Sequence, residues 1–278
     1  MEITVPLFSG LALKFGSALN SGGPYPTARL QKGLLLTDGG LELVEEAVGF
    51  GVPILKRGLQ TIFPGDLVLT SSTSGSTQDV TADFKMNLVE RIAKPGSRTE
   101  KSRLIYAIKN SLAGLILRYP LVRSPLTALS NILRTTLGWE TIYDAAGFSA
   151  IIQLHYSIQP ETGRIKVEVH PPDGQLNDVT EVVVMNEQGG NYFDCYQDSS
   201  GLSLRGSEIG CWDEVTAEEA SFISSANKLA FALKQVSGAK LYRGRELVGT
   251  RLAWSGFGYS FPPTTGKFCF ELNIKRLA

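Results

Sequence analysis

The feature that most constrains the fold is an alternation of apolar and polar residues that runs from 150 to 170. Alternation with a period of two places one set of side chains on each face of a β-strand. The residues between the two runs, Pro160–Gly163, are typical of a turn. If these four residues form the loop, a β-hairpin with a fixed register follows. Its predicted pairs are Gln159 with Arg164, Ile158 with Ile165, Tyr156 with Val167, Leu154 with Val169, His155 with Glu168 and Gln153 with His170.

Short apolar runs between turn residues predict further strands on both sides of this hairpin. They occur within residues 1–82, 182–198 and 240–274, while Ser71–Gln78 is interpreted as a solvated loop. A length of 278 residues lies between one large β domain and two ordinary domains. We predict a mainly β protein, at the margin α+β, that forms a single domain over residues 1–278. Its architecture is expected to be a large antiparallel β-sandwich of the supersandwich type.

Two segments break the strand pattern. Between residues 85 and 138, apolar side chains recur at the three- and four-residue spacing of amphipathic helices. This spacing predicts a helical insertion over 85–138. A capping-box pattern at Thr216–Glu219 precedes a second helical stripe that ends near Gly238. It predicts one late α-helix.

The charges balance over the whole chain but not locally. The formal net charge is zero, which gives no indication of nucleic-acid binding. Residues 85–134 contain ten Lys or Arg and two Glu, whereas residues 186–220 contain eight Asp or Glu and one Arg. The basic helices either cover the sheet or dock on an anionic membrane surface or a protein partner.

Cysteine usage and missing motifs narrow the class of protein. Three cysteines are typical of buried thiols in a reducing compartment, although a disulfide between Cys195 and Cys211 is compatible with the sequence. Residues 1–16 lack the basic start of a signal peptide, so a soluble, cytoplasmic protein is expected. Nucleotide-binding, zinc-protease and esterase motifs are absent, and we expect no cofactor and no metal site. The pattern specifies no oligomeric state.

The leading candidate site follows the strand Val182–Met185. If residues 192–198 form one strand, Tyr192, Asp194, Tyr196 and Asp198 share a face. Aromatic rings and carboxylates are typical of sites that bind sugars or other polar small molecules. The same residues also fit the solvent-facing side of an ordinary antiparallel sheet.

Other residues extend this candidate site. Trp212 supplies a further ring, and Arg243 can hold an anionic group or pair with the acidic segment. Asp194 is a candidate catalytic acid or base. His155, oriented by Glu168 across the predicted hairpin, is another candidate, and an exposed cross-strand pair is the alternative. Our first hypothesis is a carbohydrate-binding or carbohydrate-modifying protein, with catalysis left open. The second is a non-catalytic protein that docks through residues 85–134.

Overall fold

The computed structural model describes residues 2–15, 30–45, 47–93, 140–171, 176, 178–248 and 252–277. These residues form eighteen antiparallel β-strands and two short 3-10 turns. The strands are β1 (Ile3–Pro6), β2 (Leu11–Phe15), β3 (Leu34–Asp38), β4 (Leu41–Glu42), β5 (Phe50–Arg57), β6 (Gln60–Ser74), β7 (Thr77–Ala93), β8 (Glu140–Gln159), β9 (Arg164–His170), β10 (Glu181–Gly189), β11 (Cys195–Asp198), β12 (Ser203–Arg205), β13 (Cys211–Glu214), β14 (Glu219–Ser224), β15 (Leu229–Lys234), β16 (Lys240–Val248), β17 (Leu252–Phe261) and β18 (Phe268–Arg276). The predicted mainly β fold is confirmed.

One hydrogen-bonded sheet folds over to form two packed layers. Its main path runs β12–β11–β14–β15–β18–β9–β8–β7–β6–β5–β10–β17–β16–β13. Rings meet between strands that are not neighbours in this path. Phe50 lies 5.1 Å from Phe231, and Phe222 lies 4.8 Å from Phe257, centroid to centroid. The first layer therefore contains β6–β9, β11, β14, β15 and β18, and the second contains β1–β3, β5, β10, β13, β16 and β17.

The predicted hairpin is present as β8 and β9, and its register is the predicted one at every pair. Ile158, Tyr156 and Leu154 are buried in the core, as are the residues opposite them. His155 and Glu168 therefore lie on the outer face of the first layer. The register was predictable because a shift of one residue would expose the whole apolar set.

The predicted late α-helix is wrong. Residues 219–234 form the hairpin β14–β15, in which Phe222 lies opposite Phe231. Its turn places Lys228 at a φ of 50° and is tied by a hydrogen bond from the Asn227 side-chain amide to Ser224. The apolar residues of this segment satisfy a period of two as well as the helical period. The large rings of both strands are buried in the core, which favours the strand solution.

The predicted start of the helical insertion is also wrong, because β7 continues without interruption from Thr77 to Ala93. Ala93 pairs with Glu140, the first residue of β8. The remaining residues of the insertion, 94–138, lie outside the described residues, and so does most of the basic segment 85–134. Both the helices and the docking surface stay predictions. Within the described part of the chain, no helix is long and apolar enough to cross a bilayer.

All three cysteines are free thiols. Cys195 is buried on β11, and its sulfur lies 4.0 Å from the Ser225 hydroxyl. Cys211 lies on β13 opposite Gly244 of β16. The disulfide between Cys195 and Cys211 that the sequence allowed is therefore not formed.

Candidate functional site

Six of the eight residues singled out from the sequence lie in three separate places. His155 and Glu168 are on the outer face of the first layer. Tyr196, Asp198 and Arg243 meet where the edges of the two layers approach each other. Trp212 lies on the outer face of the second layer. The described contacts join the members of the second group to one another but do not join the three places.

The second group is built around a buried ring. Tyr196 is fully buried against Phe222 and Phe257, and its hydroxyl donates to the Asp198 carboxylate at 2.8 Å. Burial raises the pKa of the Tyr196 hydroxyl well above its usual value. The Arg243 guanidinium lies 4.8 Å from the Tyr196 ring centroid, within the range of a cation–π contact. The core, rather than solvent, covers this tyrosine.

Asp198 and Arg243 have structural partners. Asp198 accepts hydrogen bonds from the Ser200 amide and hydroxyl and from the Leu202 amide, so it holds the turn after β11. Arg243 Nε donates to the Ile209 carbonyl at 3.2 Å. These contacts occupy much of the hydrogen-bonding capacity that a polar ligand would use.

Tyr192 and Asp194 lie outside β11, which contains only Cys195–Asp198. The Tyr192 amide donates to the Gly189 carbonyl in the turn after β10, and the Asp194 carbonyl accepts from the Gly206 amide. The predicted alternation therefore holds for Tyr196 and Asp198 but does not extend to these two residues. Their proposed roles stay predictions.

Trp212 occupies a strained position on β13. Its φ of 59° lies in the left-handed region, at a bulge in the pairing of β13 with β16. The ring stacks on Trp254 with a centroid separation of 4.9 Å and an interplanar angle of 23°. A Cβ added at Gly258 would lie 3.1 Å from the Trp212 ring. The half-buried ring therefore lies flat against the outer face of the second layer.

The outer face of the first layer brings four hydrogen-bonding side chains together on β7 and β8. The Ser157 hydroxyl donates to Asp79 Oδ1 at 2.7 Å, and His155 Nε2 lies 3.4 Å from the same oxygen. His155 Nε2 also lies 3.3 Å from Ser157 Oγ, and Nδ1 lies 3.2 Å from Thr81 Oγ1. Because the Ser157 proton points to Asp79, the consistent neutral tautomer carries its proton on Nε2 and accepts from Thr81 at Nδ1.

This cluster is not a nucleophilic triad. In a triad, the carboxylate and the hydroxyl bind opposite ring nitrogens, so that the histidine removes the hydroxyl proton. Here Asp79 and Ser157 both approach Nε2 of His155. The arrangement holds the histidine ring in a fixed orientation beside a serine and a carboxylate.

Two lysines, rather than His155, contact the Glu168 carboxylate. Lys166 Nζ donates to Glu168 Oε1 at 2.8 Å, and Lys267 Nζ contacts Oε2. The hydrogen bond from Lys166, reinforced by the one from Lys267, lowers the pKa of Glu168 to about 2. His170 Nε2 is 3.7 Å from the same carboxylate. Glu168 is therefore ionised at neutral pH, and the described contacts orient the His155 ring through Thr81, Ser157 and Asp79.

Beside His155, the outer face forms a groove of about 390 Å³. We call it the polar groove, and its lining is entirely polar or charged: Ser74, Thr77, Asp79, Ser157, Gln159, Arg164, Lys166 and Glu271. Arg164 Nε lies 3.4 Å from Glu271 Oε1, so an ion pair joins β9 to β18 within this lining. Such a lining offers hydrogen-bond donors and acceptors in close proximity.

Most of this groove was not predicted from the sequence. The predicted solvated loop at Ser71–Gln78 is wrong, because β6 extends to Ser74 and β7 begins at Thr77. The available signal was the alternation that places Asp79, Thr81 and Asp83 on one face of a strand. In the part of the chain that the structure describes, no group of three or more His, Cys, Asp or Glu is placed to hold a metal ion.

Comparison with known proteins shows a shared fold. No protein-family model and no curated protein sequence matches the chain. An α-N-acetylgalactosaminidase from Bifidobacterium bifidum, in complex with GalNAc, matches with a TM-score of 0.52 and 11% identity. The match covers 99% of this chain and 36% of that enzyme, so the chain spans about a third of its length. An α-mannosidase from Enterococcus faecalis V583 gives a TM-score of 0.46 at 10% identity over 98% of this chain and 29% of that chain.

Proposed function

We propose that this protein binds a carbohydrate in the polar groove. The observation that carries the proposal is the lining, in which hydroxyl, amide, carboxylate, guanidinium and ammonium groups surround a volume of about 390 Å³. A pocket of a few hundred Å³ accommodates a small polar ligand. The fold shared with a segment of a glycoside hydrolase supports a sugar as the ligand class.

Sugar hydroxyls both donate and accept hydrogen bonds, which suits a lining of mixed character. Asp79 and Glu271 accept from hydroxyls, whereas Arg164 and Lys166 donate to them. The aliphatic stems of Arg164 and Lys166 offer apolar surface to the C–H groups of a ring. Because the lining contains no aromatic ring, we expect weak binding, with a dissociation constant of about 1 mM for a single sugar unit.

The role of His155 is to position Asp79 and Ser157 for ligand binding. The ring contacts both residues from outside the groove lining, so its loss frees both side chains to rotate. We propose ligand binding, and no reaction, for the polar groove. Glu168, the other member of the predicted catalytic pair, is held ionised by lysines.

The test is a titration of the purified protein with N-acetylgalactosamine, galactose, mannose and glucose, monitored by ligand-observed NMR and calorimetry. The critical variant is Asp79→Asn, which removes a charged acceptor from the groove and is expected to weaken binding at least about tenfold. Its matched control is Asp83→Asn. Asp83 lies on the same strand and face and also accepts a hydrogen bond from β8, through Gln153 at 2.8 Å.

The expected result is saturable binding of at least one sugar that Asp79→Asn weakens and Asp83→Asn preserves. Thermal unfolding of both variants shows whether either change has disturbed the fold. Equal binding by wild type and Asp79→Asn would place the ligand elsewhere, and binding of none of these sugars would overturn the proposal.

A further inference from the structure

Among the residues that the structure describes, strand β6 has a long edge with no neighbouring strand. It pairs with β5 only through Gln60–Ile62 and with β7 along most of its length. Among the described strands, none pairs with the other side of residues 66–74. An open strand edge exposes backbone N–H and C=O groups that can pair with another chain.

The residues of the open stretch themselves lack the usual devices that prevent pairing. Natural edge strands carry lysines, prolines or bulges. In β6 the proline and the register shifts lie at 63–66, before the open stretch begins. From Asp66, opposite Lys85, to Ser74, opposite Thr77, the pairing with β7 is regular. The open stretch is therefore paired regularly along its other side.

The side chains of the open stretch also favour pairing. Leu67 and Leu69 pack on the core and fix the orientation of the strand. Val68 points outward and is 62% exposed. No charged residue lies between Asp66 and Asp79. A run of β-branched and hydroxyl side chains without charge suits an added strand.

We propose that β6 pairs antiparallel with β6 of a second copy of this chain, so that the first layers of two molecules form one continuous sheet. Self-association fits because the edge is neutral and offers a charged peptide nothing to complement. In a register centred on Thr70, Thr70 faces Thr70 of the second copy, and Val68 faces the second copy's Ser72. Asp66 then faces the second copy's Ser74, so no like charges meet. A two-fold arrangement of this kind closes on itself and gives a dimer.

The test is the concentration dependence of the mass of the full chain, measured by sedimentation equilibrium. Wild type is expected to show a reversible monomer–dimer equilibrium. Thr70→Lys places two ammonium groups opposite each other at the centre of the interface and is expected to raise the dissociation constant at least about tenfold. Val68→Lys is expected to act in the same direction.

The matched control is Ile151→Lys. Ile151 is 53% exposed on the same layer but lies on β8, opposite Lys85, away from the open edge. It should leave the equilibrium unchanged while removing a similar apolar side chain. A monomer at all concentrations would overturn the proposal, as would a dimer that Thr70→Lys and Val68→Lys affect no more than Ile151→Lys does.

Hydrogen exchange of the wild-type chain gives a second, independent readout. Dimerisation through β6 predicts that amides within 66–74 exchange more slowly at high protein concentration. Concentration-dependent protection that appears elsewhere, with none in 66–74, would assign association to another surface and contradict the proposal.

Discussion

The hydroxyl of Tyr156, on β8, donates a hydrogen bond of 2.6 Å to the carbonyl of Gly51, on β5. This bond crosses the core and joins the two layers. Gly51 has a φ of 74°, and its amide donates to the Asn186 side chain at 3.1 Å. A Cβ at position 51 would lie 2.6 Å from the Tyr156 ring, so only glycine fits beneath the tyrosine.

Gly51→Ala is therefore expected to destabilise the fold strongly. The left-handed backbone and the overlap with Tyr156 together should lower the free energy of unfolding by about 3 kcal/mol, measured by urea denaturation. Gly58→Ala is the control, because Gly58 also has a positive φ, 56°, but nothing lies near an added Cβ. The control should lose only about 1 kcal/mol. Equal losses in both variants would show that the contact with Tyr156 has no energetic effect.

Local patterns predicted the parts of this fold that depend on neighbouring residues. The β8–β9 register followed from the alternation on either side of Pro160–Gly163, because only one pairing buries both apolar sets. The same kind of evidence failed for residues 216–238, where a helical and an extended pattern coexist. Burial of Phe222 and Phe231 between the layers decided between them, and that is a tertiary effect.

The polar groove could not be predicted from the sequence for a different reason. Its residues come from β6, β7, β8, β9 and β18, and the contact between β18 and β9 joins segments about a hundred residues apart. Glu271 lies opposite Lys166 only once that pairing forms. The burial of Tyr196 was likewise not predictable. An alternating pattern identifies which residues share a face but not which face is buried.

Glu187 is expected to make stability depend on pH near neutrality. It is buried on β10, and burial raises the pKa of its carboxyl to about 7. The unfolded chain releases this proton near pH 4.5, whereas the folded chain keeps it until about pH 7. Stability should therefore fall as the pH rises through this window, by on the order of 3 kcal/mol, because the folded state binds the extra proton.

Glu187→Gln should remove most of that slope in urea unfolding between pH 5 and pH 8. Glu161→Gln, in the exposed β8–β9 turn, should keep the wild-type slope. If the two variants retain the same pH dependence as wild type, Glu187 is not the group responsible.

In a strand, an alanine variant is usually more stable than a glycine variant. At position 212 we expect the opposite order of stability. Glycine adopts a φ of 59° without strain, whereas alanine does not, so Trp212→Gly should be more stable than Trp212→Ala by about 1 kcal/mol. Both variants lose the stacking on Trp254. At Trp254, which lies in ordinary extended backbone, alanine should be the more stable substitution. If the alanine variant were the more stable one at both positions, the backbone of Trp212 would not be strained.

Asp198→Ala separates a structural role from a binding role. The change removes acceptors for the Ser200 and Leu202 amides and for the Tyr196 hydroxyl, and should cost about 2 kcal/mol of stability. Sugar affinity should remain that of wild type, the opposite of the pattern expected for Asp79→Asn. A loss of affinity in folded Asp198→Ala would favour the Tyr/Asp face over the polar groove as the binding site.

The most direct test of the binding proposal uses the two histidines of the chain as internal probes. Ring resonances of His155 and His170 are followed by NMR during titration with the same sugar panel. His155 contacts Asp79 and Ser157 of the polar groove, whereas His170 lies farther along β9 beside Glu168. The proposal predicts a saturable shift of the His155 resonances with little change at His170. Saturable sugar binding that leaves His155 unchanged, or that shifts His170 alone, would contradict it.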